Sequence, residues 1–294
     1  MDLLAPTFLK RLHRLRDRLG GLLHRFEFLR PTPAGQLVTP EPESHRPYTP
    51  GDDPRYIDWN IYARQERFFV KTVVREQEGV VHLLVDASAS MTTPHPEKRR
   101  RAVETAAGIG YLALLAGNEV TLHSWSDRLM TTRSFDQGER DAPDLLGRLS
   151  NLPQGLTTDL GRSLEQVRQP WRHPSSRLLI ISDFIETGPF WEQFDLLARG
   201  GSRPAAMQVL HEEEARPRIR GLVRLTDPET GRQSVRVVGH RRLREYRESM
   251  KRFLSRTDER FALARVPFMR AYCEKPFEEL VVEFFKLPAW SRRR

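Results

Sequence analysis

"VVHLLVDASASM", residues 80 to 91, decides the fold. Six mostly apolar residues run into Asp86, and Ser88 and Ser90 follow at alternate positions. A short apolar run closed by a polar turn is the pattern of a strand buried on both faces. "RLLIISDF" (177 to 184) repeats it and ends on Asp183. Around these two, strand and helix patterns alternate. "PEKRRRAVETAAGIGYLALLAG" (96 to 117) predicts a helix with Gly117 at C′. "NEVTLHSW" (118 to 125) predicts a strand and "DAPDLLGRLSNL" (141 to 152) a short helix. "TDLGRSLEQVRQPW" (158 to 171) opens a helix for which Thr158 or Asp159 is the N-cap. "PFWEQFDLLARG" (189 to 200) reads as a helix and "AAMQVL" (205 to 210) as a strand. Apolar strands separated by helices predict an α/β fold, with a mostly parallel, doubly wound sheet flanked by helices.

Outside this region the chain changes character. Residues 1–30 carry Leu4, Phe8, Leu12, Leu15, Leu19, Leu22 and Phe26 at helical spacing, with Lys10, Arg11, Arg14, Arg16 and Arg18 mostly off that stripe. This is an N-terminal amphipathic helix. Packing on its own domain or a partner is the plain reading; an interfacial helix drawn to anionic lipid is the sharper one. Residues 31–78 form an arm in which 31–54 hold seven of the chain's 21 prolines. The arm continues through "RPYTPGDDPRYIDWNIYAR" (46 to 64) into a strand pattern, "RFFVKTVVRE" (67 to 76). The α/β domain spans 79–287. It includes a small β appendage, the hairpin "GLVRLTDPETGRQSVRVVG" (221 to 239), turning at Asp227 to Gly231. Charged and apolar helices follow near 241–256 and 276–286, and a basic tail closes at 288–294.

Composition bounds the function. The longest apolar run, Ala106 to Gly117, is too short to cross a bilayer, and no secretory pattern precedes the first domain. One cysteine, Cys273, excludes an internal disulfide and reads as inert. Together these point to a reducing, cytoplasmic setting, with peripheral contact at the inner membrane left to residues 1–30. The net charge of +9 comes from 48 basic residues of which only six are Lys. It reads as spread along the chain, densest in the Ser-Arg-Arg-Arg tail, with no nucleic-acid-binding module, so no nucleic-acid partner is expected.

The chemistry gathers at one edge. Open α/β sheets bind ligands beyond the carboxyl ends of their strands, where strand order reverses. Asp86 and Asp183 each follow a buried strand, Ser88 and Ser90 lie in the loop after the first, and Thr157 and Thr158 precede a helix between them. Residues i, i+2 and i+4 of a turning loop face one side, so Asp86, Ser88 and Ser90 can address one hard cation, which takes oxygen ligands. Neutral hydroxyls leave most of the ion's charge uncancelled, which favours recruiting an outside carboxylate over hydrolysis.

These residues resemble the von Willebrand factor A domain and its metal-ion-dependent adhesion site. The resemblance implies Mg²⁺ or Mn²⁺, weakly held without a partner. Ser88, Ser90 and Thr158 (or Thr157) would be ligands, and Asp86 and Asp183 would hold the ion directly or through water. The Tyr-x-Pro-Gly-Asp-Asp element, the strand after it and the "LTDPETG" hairpin extend the resemblance, over residues 44–287, to the bacterial domain of unknown function 58. That family implies a non-enzymatic protein-interaction module working with a MoxR-type AAA+ ATPase and unknown clients, through an acidic residue, in assembly or activation of protein complexes. The alternative is a Mg²⁺-dependent phosphatase or phosphotransferase of haloacid dehalogenase-like type. It needs an Asp where Ser88 stands and a downstream Lys, and none occurs from 99 to 250. No Gly-x-x-x-x-Gly-Lys-Ser/Thr phosphate loop occurs either.

The remaining candidates have plainer readings. Asp52 and Asp53 shape a turn, and Asp58 or a neighbour pairs with Arg46, Arg55 or Arg64. His82, His123 and His211 are core or edge histidines. Trp59, Trp125 and Trp171 pack. Arg99 to Arg101 form a solvated face.

Overall fold

The computed structural model describes residues 2–23, 44–48, 57–65, 67–72, 80–136, 138–168, 176–185, 189–200, 202–227 and 230–287. The chain forms two compact units, residues 1–30 with 79–294, and residues 31–78. Helix α1 is Pro6–Leu23. The smaller unit holds strand β1 (Ser44–Pro47), helix α2 (Trp59–Gln65) and strand β2 (Phe69–Thr72), with β1 and β2 antiparallel. The larger continues with β3 (Val80–Asp86), α3 (Glu97–Leu115), β4 (Glu119–Trp125), β5 (Leu129–Phe135), α4 (Ala142–Ser150) and α5 (Leu160–Arg168). Then come β6 (Arg177–Ser182), α6 (Trp191–Arg199), β7 (Arg203–Leu210), the short α7 (Glu212–Ala215), β8 (Gly221–Thr226) and β9 (Gln233–Val238). Helix α8 (His240–Leu263), β10 (Phe268–Tyr272) and α9 (Phe277–Phe285) complete it.

Six strands form the central sheet in the order β10-β7-β6-β3-β4-β5. Every pairing is parallel except β4 with β5. The chain steps from β3 to β4 on one side, while β6 pairs with β3 on the other, so the order reverses between β3 and β6. Their carboxyl ends therefore flank a switch point, where this architecture places ligands.

Residues on alternate sides of β3 belong to separate cores. Val81, Leu83 and Val85 join the layer built by α1, α3, α4 and α9. Leu84 joins the layer of α5 and α6, with Phe261 of α8. Both faces are covered, which is why β3 and β6 read as unbroken apolar runs.

The N-terminal helix packs on its own domain, the plain reading of residues 1–30, and two other expectations need amendment. Leu3, Phe8, Leu12, Leu15 and Leu19 are all buried in the core of the larger unit, so the stripe that a lipid-bound helix would use faces α3 and α9. Strands β5 and β10 went unread. Most of β5 is solvent-facing and polar, and β10 is short with Arg270 at its centre, so neither carries an apolar run. Helix α8 extends to Leu263, seven residues past the expected end, because it buries only Leu243, Thr257 and Phe261 and has no continuous stripe to mark its length.

In the smaller unit, the Asp58 carboxylate accepts the Ile61 N–H at 3.2 Å and caps α2. Trp59 is 61% exposed rather than packed inside; it lies edge-on to Tyr62 and Phe68, which stack at 4.5 Å. Asp52, Asp53, Arg55 and Trp171 fall outside the described residues.

His82 and His123 meet inside the sheet, with His82 Nδ1 3.1 Å from His123 Nε2, and Thr132 Oγ1 3.0 Å from His123 Nδ1. Burial pushes His123 down to about 4. Unfolding restores an ordinary value near 6.5, so the unfolded chain takes up more protons below that pH. The His123 contribution is intact above about pH 6.5 and is lost as pH falls toward 4, by about 3 kcal/mol. Urea unfolding of His123→Gln across this window is expected to show a correspondingly shallower acid loss than the parent chain.

Candidate metal centre

Strand β3 delivers Asp86 to the switch point almost wholly buried. One carboxylate oxygen accepts the Ser88 N–H at 2.8 Å, and the other accepts the Ser182 hydroxyl at 2.6 Å. The first bond bends the loop after β3; the second ties it to the neighbouring strand β6. A 3-10 turn at Ala89–Met91 then brings Ser90 back, and the Ser88 and Ser90 hydroxyl oxygens lie 3.0 Å apart. Ser88 is fully buried, whereas Ser90 sits half-buried at the surface end of the pair.

Asp183 follows β6 and is fully buried. Its Oδ1 accepts the Ile185 N–H at 3.0 Å, and its carbonyl accepts Gln208 Nε2 at 2.8 Å. Phe184 has φ +55°, the left-handed region that side chains beyond glycine pay about 1–2 kcal/mol to enter. The Ser182 hydroxyl accepts its N–H at 3.0 Å and holds this turn. Ser182 thus organises both acids, a role no spacing in the sequence announces.

The threonine loop is pinned to the same edge. The Gly155 N–H donates to the Ala87 carbonyl at 2.8 Å, between Asp86 and Ser88 in the chain. The Asp159 N–H donates to the Ser126 carbonyl at 2.9 Å, and the Ser126 hydroxyl donates to the Thr157 carbonyl. Only glycine fits at 155, because a Cβ there would lie 2.0 Å from Ser126 Oγ. Asp159, not Thr158, caps α5, accepting the Arg162 N–H at 2.9 Å.

Lys98 is the residue that the sequence reading passed over. It lies in the first turn of α3, yet is 1% exposed; its ammonium sits 2.9 Å from Asp183 Oδ2 and 2.7 Å from Glu214 Oε1. Burial works against its charge, but Asp183 and Glu214 outweigh this and raise its pKa above the usual lysine value. The following arginines are not a free solvated face. Arg99 donates to the Leu152 carbonyl, Arg101 to the Cys273 carbonyl and Glu104, and only Arg100 is largely exposed while reaching Glu104.

Asp86 differs from Asp183 in one respect. Among the described residues no Lys, Arg or His forms an ion pair with it. Burial, then the charge of Asp183, drive its carboxyl well above the usual carboxylate range, against the hydrogen bonds from Ser182 and Ser88. A buried carboxylate held by neutral donors, beside two hydroxyls 3.0 Å apart, is a donor set that a hard divalent cation fits.

Nearby groups do other work. His211 accepts the Glu213 N–H through Nδ1 to cap α7, and its ring stacks on His95 at 3.8 Å, with Glu97 close by. Burial pushes the Cys273 thiol up to about 12, and it donates to the Leu210 carbonyl. This accounts for its expected inertness.

Sheet order, alternate-face cores and the acid-ended strands at the switch point define a von Willebrand factor A-like α/β domain. The chain belongs to the family described as protein of unknown function DUF58, which it matches over residues 44–256. An uncharacterized protein of Mycobacterium tuberculosis is 31% identical over 224 residues, covering 74% of this chain and 68% of that one. Among solved structures, the conserved hypothetical protein BatB from Bacteroides thetaiotaomicron aligns with 71% of this chain and 99% of its own, at 13% identity and a TM-score of 0.42. Manganese-loaded TRAP protein from Plasmodium vivax aligns with 74% of this chain and 75% of its own, at 14% identity and a TM-score of 0.37. No described helix is long and apolar enough to cross a membrane.

Proposed function

We propose that this chain is a non-enzymatic interaction module whose sheet edge holds Mg²⁺ or Mn²⁺ and receives an acidic residue of a partner. The observation that carries this is the gathering of Asp86, Ser88, Ser90 and Asp183 at the β3/β6 switch point, with the Thr157–Thr158 loop pinned against it. Ser88, Ser90 and Thr158 would be the hydroxyl ligands. Both oxygens of Asp86 and of Asp183 already accept hydrogen bonds, which suits the acids to holding the ion through water. The bound cation supplies an electrophilic coordination position for an incoming carboxylate. Family membership supports a MoxR-type AAA+ ATPase as the partner, acting with this module on protein complexes in the cytoplasm.

The phosphotransferase reading gains a lysine, since Lys98 stands just before the stretch that lacks one. That ammonium is buried between Asp183 and Glu214 and offers nothing to a substrate, and Ser88 still occupies the place of the general acid.

The test is calorimetric titration of Mn²⁺ and Mg²⁺ into the full chain, with pull-down of the ATPase in Mg²⁺ and in chelator. Ser88→Ala and Asp86→Asn are expected to lose about tenfold or more in metal affinity and to abolish Mg²⁺-dependent capture, with phosphatase activity at background throughout. Full capture by these variants in chelator would refute the adhesion-type mechanism.

A further inference from the structure

The net charge is not evenly placed. Residues 216–252 hold twelve Lys and Arg against four Asp and Glu, so +8 of the chain's +9 arises there. The reading of a spread charge missed this because the arginines are interleaved with aliphatic residues and never form a run.

That stretch folds as the β8–β9 hairpin and the first half of α8. Leu222 pairs with Val237 and Arg224 with Val235, so Leu222, Val235 and Val237 share one face of the ribbon. They are 76%, 54% and 64% exposed. Arg242 ties the helix to the Val237 carbonyl at 3.1 Å; Tyr246 and Arg247 tie it to the Glu214 and Pro217 carbonyls at 2.9 and 2.8 Å. Where the ribbon meets the helix lies a cleft of about 450 Å³, lined by Val235, Arg236, Val237, Gly239, Arg241 and Arg242. Among the described residues no acid lines it.

A two-stranded ribbon is marginally stable alone, and an aliphatic face left in water marks a contact surface. Among the described residues no third strand pairs with β8 or β9, so β8 presents an outer row of backbone donors and acceptors, while on β9 the Val237 carbonyl is taken by Arg242. We propose that the β8–β9 hairpin and the cationic cleft beside it dock an extended segment of a partner protein, alternating acidic and aliphatic residues, which adds as a third strand. Backbone pairing, burial of the Leu222–Val237 face and charge complementarity all favour this occupant. Nucleic acid would want stacking aromatics, and Tyr246, the one aromatic of residues 216–252, has its hydroxyl on Glu214. A lipid surface would leave the open backbone edges unsatisfied. The binding proposed here uses none of the residues proposed to hold the metal.

The experiment measures fluorescence anisotropy of a labelled peptide of about twelve residues alternating Glu and Val, titrated with the full chain at low ionic strength. It is expected to bind about tenfold or more tightly than a peptide with the same residues in two blocks, an oligonucleotide or phosphatidylserine vesicles. Leu222→Asp with Val237→Asp, and separately Arg224→Glu, are expected to weaken it by about tenfold at an unchanged melting temperature. Both variants lie on exposed positions, so a loss cannot be put down to unfolding. Absence of binding, equal binding of the block peptide, DNA or vesicles, or full binding by both variants would overturn the proposal. Asp86→Asn is expected to leave this binding intact.

Discussion

Replacing Lys98 with methionine is expected to lower the free energy of unfolding by about 3–5 kcal/mol, the cost of stranding a buried charge. The side chain keeps its reach to Cε, with sulfur in place of one methylene, and loses its ammonium. What remains is Asp183, fully buried, with Glu214 at the same place and Asp86 across the switch point. Three carboxylates would then face a low-dielectric edge without a cation of their own. Urea unfolding measures the loss. The companion variant Lys98→Met with Asp183→Asn removes the stranded charge as well, and is expected to recover about 2–3 kcal/mol of it. A simple packing role for Lys98 would give additive losses instead. The same pair bears on the metal site, because Lys98 is shared between Asp183 and Glu214, while among the described residues Asp86 has no ion-pair partner.

The legible and illegible parts of the chain divide along physical lines. Strands β3 and β6 announce themselves because both faces are covered, so burial leaves an unbroken apolar run and the first polar residue marks the sheet edge. The hydroxyl spacing after Asp86 is likewise local, since Ser88 and Ser90 meet within one turn. Lys98 was illegible. A lysine in a first helical turn reads as solvated, and its burial depends on Asp183, 85 residues away, and on Glu214 after a different strand. Ser182 was hidden for a similar reason, being a small polar residue at the end of an apolar strand whose partner lies 96 residues back. Of the two N-cap candidates for α5, Asp159 takes the cap, and Asp is the stronger capping type of the two.

The second large effect concerns the N-terminal helix. Leu12→Ala and Leu15→Ala are each expected to cost about 2–5 kcal/mol, and the pair to remove a large part of the roughly 5–15 kcal/mol that keeps a domain folded. Both leucines are buried at 0% and 1% exposure. Phe8 lies 5.1 Å from Phe277 of α9, and Arg11 makes a two-pronged ion pair with Glu278 at 2.6 and 2.7 Å while covering the Phe277 ring at 4.6 Å. Gly108 of α3 leaves the room that Leu15 fills: a Cβ there would come within 3.3 Å of Leu15 Cδ2 and 2.9 Å of Val281 Cγ2. Leu4, 44% exposed in the turn before α1, provides the internal control, and Leu4→Ala is expected to change stability by only about 0.5 kcal/mol. Thermal melts and vesicle co-sedimentation of the three variants separate the two readings of residues 1–30. A structural helix gives large losses of stability for Leu12 and Leu15 with vesicle binding unchanged from the parent chain. A lipid-facing helix gives the reverse, near-parental melting with weakened sedimentation, and that pattern would mean α1 leaves α3 and α9 at a membrane surface.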